Sequence, residues 1–144
     1  MANVLADTCL YTILHHDRLA EAATLRGPST FVVKQRMVTA GNLLRKAHVA
    51  GQDVAVLFGD ASDCSKLLYW GRVSAIDVGE FDTHYTVFPV RPLAPGHSPQ
   101  ELVLASTGER IADGFIRPYA ICRTPSFLPV RADAEPDTAA DGGA

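Results

Sequence analysis

Apolar positions along the chain fall into short runs with two different periods. Cys9-Leu-Tyr-Thr-Ile-Leu14 is continuous and rich in β-formers, which predicts a buried strand. His15-His16-Asp17 breaks it. From Arg18 to Leu25 the residues Leu19, Ala22, Ala23 and Leu25 recur at helical spacing, with Asp17 as the expected N-cap and Gly27 as the stop. Thr30 to Lys34 is a second strand. Thr39 to His48 is a second helix, capped by Thr39 and ended by Gly51, with Leu43, Leu44 and Ala47 on one face.

Strands then follow one another. Asp53 to Phe58 is apolar throughout, Gly59 to Ser65 is a polar loop, and Lys66 to Val78 is a long strand with Gly71 as its bulge. Phe81 to Val90 alternates, and Pro89 and Pro92 confine its end to a sheet edge or an exit. Glu101 to Ser106 is a further strand, whereas Gly114, Pro118 and Pro125 keep Ile111 to Phe127 from being one regular element. Strand, helix, strand, helix and then successive strands joined by short turns predict an α+β domain with antiparallel pairing in its later part.

Composition changes this picture only at the C-terminus. The chain is 47 % hydrophobic and 20 % charged, ordinary for a globular domain of 144 residues. Its net charge of −3 comes from the end: the stretch after Val130 holds Asp133, Glu135, Asp137 and Asp141 against Arg131. Removing those four acids and one base from 16 and 13 leaves 12 of each. The expectation is one domain over residues 1–128 and a disordered acidic Ala/Asp/Gly/Pro tail over 129–144. A neutral body argues against coating nucleic acid by charge alone but leaves room for a local basic patch. Cys9, Cys64 and Cys122 are odd in number and far apart, no run reaches the roughly 18 apolar residues of a membrane span, and the first residues lack a signal-peptide pattern. The expectation is a cytoplasmic protein with buried thiols at Cys9 and Cys122, no membrane association, and no metal or other cofactor.

One stretch carries a family resemblance. Lys34-Gln-Arg-Met-Val-Thr-Ala-Gly-Asn-Leu-Leu-Arg45, then Gly51-Gln-Asp53, the apolar run Val54 to Phe58, and Tyr69-Trp-Gly-Arg-Val-Ser-Ala-Ile76 resemble, in that order, EVE-type domains of the PUA-like superfamily, over residues 34–78. The chain departs from the pattern by the Gln between Gly51 and Asp53 and by an early aromatic cluster reduced to Tyr11. The Lys and Glu pair that some related ASCH domains use for hydrolysis has no identifiable counterpart. The resemblance implies a PUA-like twisted sheet or small β-barrel with two short helices, whose open face holds a pocket. EVE-like and YTH-like relatives hold a base there, often a modified one, between aromatic rings. A single-stranded or flipped base is an apolar disc with a polar edge, so stacking rings and a few donors suit it.

On that reading Trp70 is a stacking platform and Arg72, two residues along the same strand, a donor to phosphate or base edge; otherwise Trp70 is a core ring and Arg72 a solvated strand end. Lys34, Arg36 and Arg45, with Lys46 and His48, make a basic rim or an ordinary solvated helix face. Asn42 pairs with a base edge or caps locally. Phe115 and Tyr119 close an aromatic cage or seal the end of the fold. The loop Gly59 to Lys66 holds Asp60, Ser62, Asp63, Cys64 and Ser65, but Asp60 and Asp63 lack His or Cys partners at metal spacing, and a nucleophile there lacks an adjacent base. His15 and His16 with Asp17 bind metal, relay protons or face water at the helix start. The leading expectation is a binding module for a nucleic-acid base, modified or not, ahead of an enzyme. A small hydrolase of nucleoside-like ligands, with Asp60 or Asp63 as base and His84 or Lys66 assisting, is the catalytic alternative. A structural or protein-interaction domain is the third.

Overall fold

The computed structural model describes residues 4–111 and 119–128. Six strands and two helices follow in the order β1 (Thr8–Leu14), α1 (His16–Thr24), β2 (Ser29–Val33), α2 (Val38–Val49), β3 (Val54–Asp60), β4 (Asp63–Val78), β5 (Thr83–Pro92) and β6 (Tyr119–Arg123), with a short 3-10 turn at Pro99–Glu101. They form one mixed sheet in the order β2-β5-β4-β3-β1-β6. β1 and β3 are parallel, joined through α1, β2 and α2, and the remaining neighbours are antiparallel. The chain is therefore α+β, as its pattern implies. No helix among the described residues is long and apolar enough to cross a membrane.

The sheet is not closed, so of the twisted sheet or small β-barrel expected, the barrel is not what these strands form. Its terminal strands β2 and β6 are five residues each; β2 is paired on one side only, and the outer edge of β6 meets residues 103–105 through the Leu104–Cys122 bridge and not through another strand. Closure would need these two short strands, at opposite ends of the order, to meet edge to edge.

Both faces of the sheet are covered. On the first, α1 and α2 bring Leu19, Ala22, Ala40, Leu44 and Ala47 down onto Val56, Phe58, Phe31, Tyr85 and Val87. The rings of Phe31, Phe58 and Tyr85 pack at centroid distances of 5.5–5.6 Å. On the second, Leu102, Ile111 and Leu128 cover Tyr11, Leu57, Leu67 and Trp70. β3 lies between the two and is buried along its whole length, which is why its sequence shows no alternation.

Several local expectations shift. α1 is capped by His15, whose ring accepts from the backbone N of Asp17, so Asp17 is inside the helix rather than its cap. Thr39 does not cap α2; the amide of Met37 donates instead to the hydroxyl of Thr83 at 2.8 Å, and that hydroxyl donates to the carbonyl of Gln35 at 2.7 Å. A distant strand thus satisfies a helix start. Gly51 ends α2 with φ of 73°, a conformation glycine adopts without steric cost. Gly71 sits at a register shift between β4 and β5, where a Cβ would lie 2.3 Å from Val87 Cγ1 and 2.8 Å from the carbonyl oxygen of Pro89. Residues 101–106 do not form a ladder strand: the 3-10 turn takes their start, and Val103 and Leu104 make isolated bridges to Arg110 and Cys122. β6 arises instead inside the stretch whose Gly and Pro hide it. Cys9 and Cys122 face each other across β1 and β6 as buried free thiols, and burial pushes Cys122 up to about 12, so both stay protonated and inert. The expected tail, 129–144, lies outside the described residues.

Candidate functional site

The residues singled out by their types do not converge. Trp70 is only 6 % exposed and packs into the second face against Leu57 and Leu67. Arg72 shares that face, as alternation requires, but is equally buried and donates to Asp53 Oδ2 at 3.0 Å, its guanidinium 5.8 Å from the Trp70 ring centroid. Trp70 is therefore a core ring, and Arg72 neutralises a carboxylate where the chain enters β3. Tyr119 is half-buried and packs on the opposite, helix-covered face, so it cannot share a stacking site with Trp70. Asn42 and Arg45 are exposed on α2 and hydrogen-bond each other. Arg36 donates from Nε to the carbonyl of Gly79 at 2.9 Å, and Lys34 is exposed beside it in sequence. Phe115 lies outside the described residues. The catalytic alternative is also dispersed. Lys66 pairs with Asp63 at 3.7 Å, while His84 is exposed on β5, opposite Val32 of the sheet-edge strand β2.

What the fold does bring together lies around α1. Parallel pairing aligns Leu14 with Asp60 at the carboxyl ends of β1 and β3. The chain turns there into α1, the place where open sheets with parallel strands commonly present ligand-binding groups. Asp60 is 8 % exposed. Its Oδ1 accepts from the Ser62 amide at 2.9 Å and lies 3.4 Å from His16 Nδ1. The Ser62 amide, and then His16, hold this carboxyl below the usual carboxylate value despite burial. His15 stacks on His16 with ring centroids 4.6 Å apart.

One turn further along, α1 and β2 enclose a surface cleft of about 250 Å3. Arg18 and Glu21 form its polar wall, Leu25 and Pro28 its apolar one, and Thr30 and Phe31 belong to its β2 side. The Arg18 guanidinium stands 5.6 Å from the centroid of the buried Phe31 ring. Ser29 also lines the cleft, and its hydroxyl is buried with no hydrogen-bond partner among the described residues. That volume lies below the ~300–1,000 Å3 usual for drug-sized ligands, so it suits a single ring and not a dinucleotide.

None of the residues expected to bind a ligand lines this cleft. Arg18 and Phe31 are 13 positions apart in elements of different period, and only the docking of α1 over β2 pairs them. His16 and Asp60 both stand out by type, but nothing in their spacing signals that β1 and β3 are parallel neighbours. No family model matches the chain, and neither a curated protein nor a solved structure is significantly similar to it.

Proposed function

We propose that the protein is a binding module for one planar heterocycle, of the nucleobase type, held in the cleft between α1 and β2. The observation that carries this is Arg18, set against the Phe31 ring at the mouth of a cleft sized for one ring. A guanidinium plane backed by an aromatic ring is a stacking surface for a base. Glu21 supplies an acceptor for the polar edge of a heterocycle, and the Ser29 hydroxyl has hydrogen-bonding capacity left over. Leu25 and Pro28 supply apolar contact. The order strand, helix, strand, helix and antiparallel strands supports a PUA-like scaffold for this module, with its sheet left open. The base therefore binds at α1, and Trp70 serves as packing on the other face.

The test is fluorescence anisotropy of labelled short single-stranded oligonucleotides, with free nucleosides as competitors. Arg18→Ala is expected to weaken binding by about 5- to 150-fold, the equivalent of one stacking contact of about 1–3 kcal/mol. Trp70 emission is expected not to respond to ligand. Absence of saturable binding, or binding that Arg18→Ala leaves unchanged, would remove the proposal.

A further inference from the structure

The group at the start of α1 makes contacts that its own protons do not complete. His16 lies between two carboxylates, with Nδ1 3.4 Å from Asp60 Oδ1 and Nε2 3.2 Å from Asp17 Oδ1. Asp60 is nearly buried and pinned by the Ser62 amide, and the Nδ1–H tautomer of His16 is the one that completes a hydrogen bond to that fixed carboxylate. The lone pair of Nε2 is then aimed at Asp17. His15 differs: its Nδ1 lone pair is taken by the Asp17 amide at a long 3.4 Å, with Asp17 Oδ2 3.6 Å away, so a cation bound there would displace that cap contact. One free nitrogen lone pair, that of His16 Nε2, thus faces the Asp17 carboxylate, with the His15 ring stacked beside it. Facing acceptors repel unless a cation lies between them.

The geometry points to a divalent transition-metal site of the zinc class, with His15, His16 and Asp17 as ligands and Asp60 as the residue that positions His16. One ligand atom from each of His15, His16 and Asp17 can be chosen so that all lie within 4.8 Å of one another. Zinc bound at about 2.0–2.2 Å to nitrogen and oxygen places neighbouring tetrahedral ligands about 3.3–3.6 Å apart. The 3.2 Å contact of His16 Nε2 to Asp17 Oδ1 is already near that spacing, whereas the 3.6 Å contact of His15 Nδ1 is to the other oxygen, Oδ2, so the carboxylate must turn or bind through both oxygens. Two imidazoles and one carboxylate favour zinc, cobalt, nickel or copper over magnesium and calcium, which prefer oxygen alone. A ligating histidine whose other nitrogen donates to a buried carboxylate is the usual supporting arrangement of such sites, and Asp60 occupies that position. Three protein ligands leave one position open to water or a ligand, unlike the closed four-ligand set of a structural zinc. The positive end of the α1 dipole opposes a cation here, and the charges of Asp17 and Asp60 offset it. This inference is independent of the cleft, whose Arg18 and Glu21 take no part.

The test is isothermal titration of the full, untagged chain with Zn2+ at pH 7.5, and with Mg2+ in parallel. One Zn2+ per chain is expected, bound at least 100-fold more tightly than Mg2+. Asp17→Asn changes a side chain that is 80 % exposed, so folding does not depend on it, and should weaken Zn2+ at least tenfold. His16→Gln should weaken it more. Asp60→Asn should cost about 10- to 100-fold without changing stoichiometry, as expected for a supporting carboxylate. Co2+ should show d–d bands without a thiolate charge-transfer band, which excludes Cys64 as the ligand. Equal Zn2+ affinity in wild type, Asp17→Asn and His16→Gln would overturn the assignment and move the ion elsewhere, for instance to His97 and Glu101, which lie 3.1 Å apart. Absence of saturable Zn2+ binding would overturn it as well.

Discussion

On one face of the sheet, helices of 9 and 12 residues lay an apolar stripe over the strands; on the other, a 3-10 turn and isolated bridges cover a comparable core. The helices satisfy their own backbone, so they need only side-chain contact with the sheet. That leaves room for a cleft beside α1 and for exposed chemistry at its start. The irregular segment pairs with itself only locally, by the Val103–Arg110 bridge with Leu104 N to Glu109 O at 2.8 Å and Ile111 N to Leu102 O at 3.0 Å. The rest of its backbone is tied to distant partners: Ala105 N to Ile121 O at 3.0 Å, Arg123 N to Val103 O at 2.8 Å, and Thr124 Oγ1 to Ala6 O at 2.6 Å. The first face can therefore carry a site that changes without unravelling the core, whereas the second is committed to holding itself in place. The burial of Trp70 belongs to that commitment.

The largest expected effects come from β3, which both faces share. Phe58→Ala empties the helix-covered core and should cost about 3–5 kcal/mol; Leu57→Ala empties the other and should cost about 2–5 kcal/mol. Urea unfolding gives both values, and it also tests the comparison. Helical circular dichroism reports the first face, while emission from Trp70, the single tryptophan, reports the second. Coincident transitions in both variants are expected, because one sheet carries both cores. Separate transitions would show that the irregular cover melts alone and would break the comparison into two units.

A smaller effect is expected at Gly71, where an added Cβ collides with Val87 and with the backbone of Pro89. Gly71→Ala should cost about 1–3 kcal/mol by displacing β5 from β4. A lowered melting temperature with native Trp70 emission unchanged would confine that strain to the helix-covered side, to which Val87 belongs.

The smallest effect is a pH dependence that again separates two regions. Asp60 at the end of β3 and Glu101 in the 3-10 turn both have lowered pKa values, Asp60 chiefly through the Ser62 amide and Glu101 chiefly through His97. A carboxyl lowered on folding binds more protons when unfolded. Its stabilisation is therefore complete above its ordinary value, 3.8 for Asp60, and is lost as pH falls below it. Asp60 is nearly buried and Glu101 is exposed, so Asp60→Asn should flatten acid denaturation below about pH 4 while Glu101→Gln leaves it nearly unchanged. Equal flattening by both would show that solvent screening does not distinguish the two regions.

Local periodicity made much of the fold legible. The runs around Cys9–Leu14, Arg18–Leu25 and Asp53–Phe58 each lie over an observed element, and Gly51 and Gly71 mark a helix end and a register shift as their types imply. Alternation also placed Trp70 and Arg72 on one face, because side-chain direction in a strand is a local property. What covers that face is not local. Leu102, Ile111 and Leu128 reach Trp70 from far along the chain, through a stretch whose glycines and prolines conceal β6. The same limit applies to function. His15, His16, Asp17 and Asp60 were visible as reactive types, but only the parallel register of β1 on β3 sets Asp60 against His16, 44 positions away. The pairing of Arg18 with Phe31 likewise exists only once α1 docks on β2. The sequence by itself determined the elements and their apolar faces, since those depend on backbone geometry repeated every two or 3.6 residues. Tertiary structure alone decided which faces meet and which polar groups converge, because those contacts join elements whose separation along the chain carries no periodic signal.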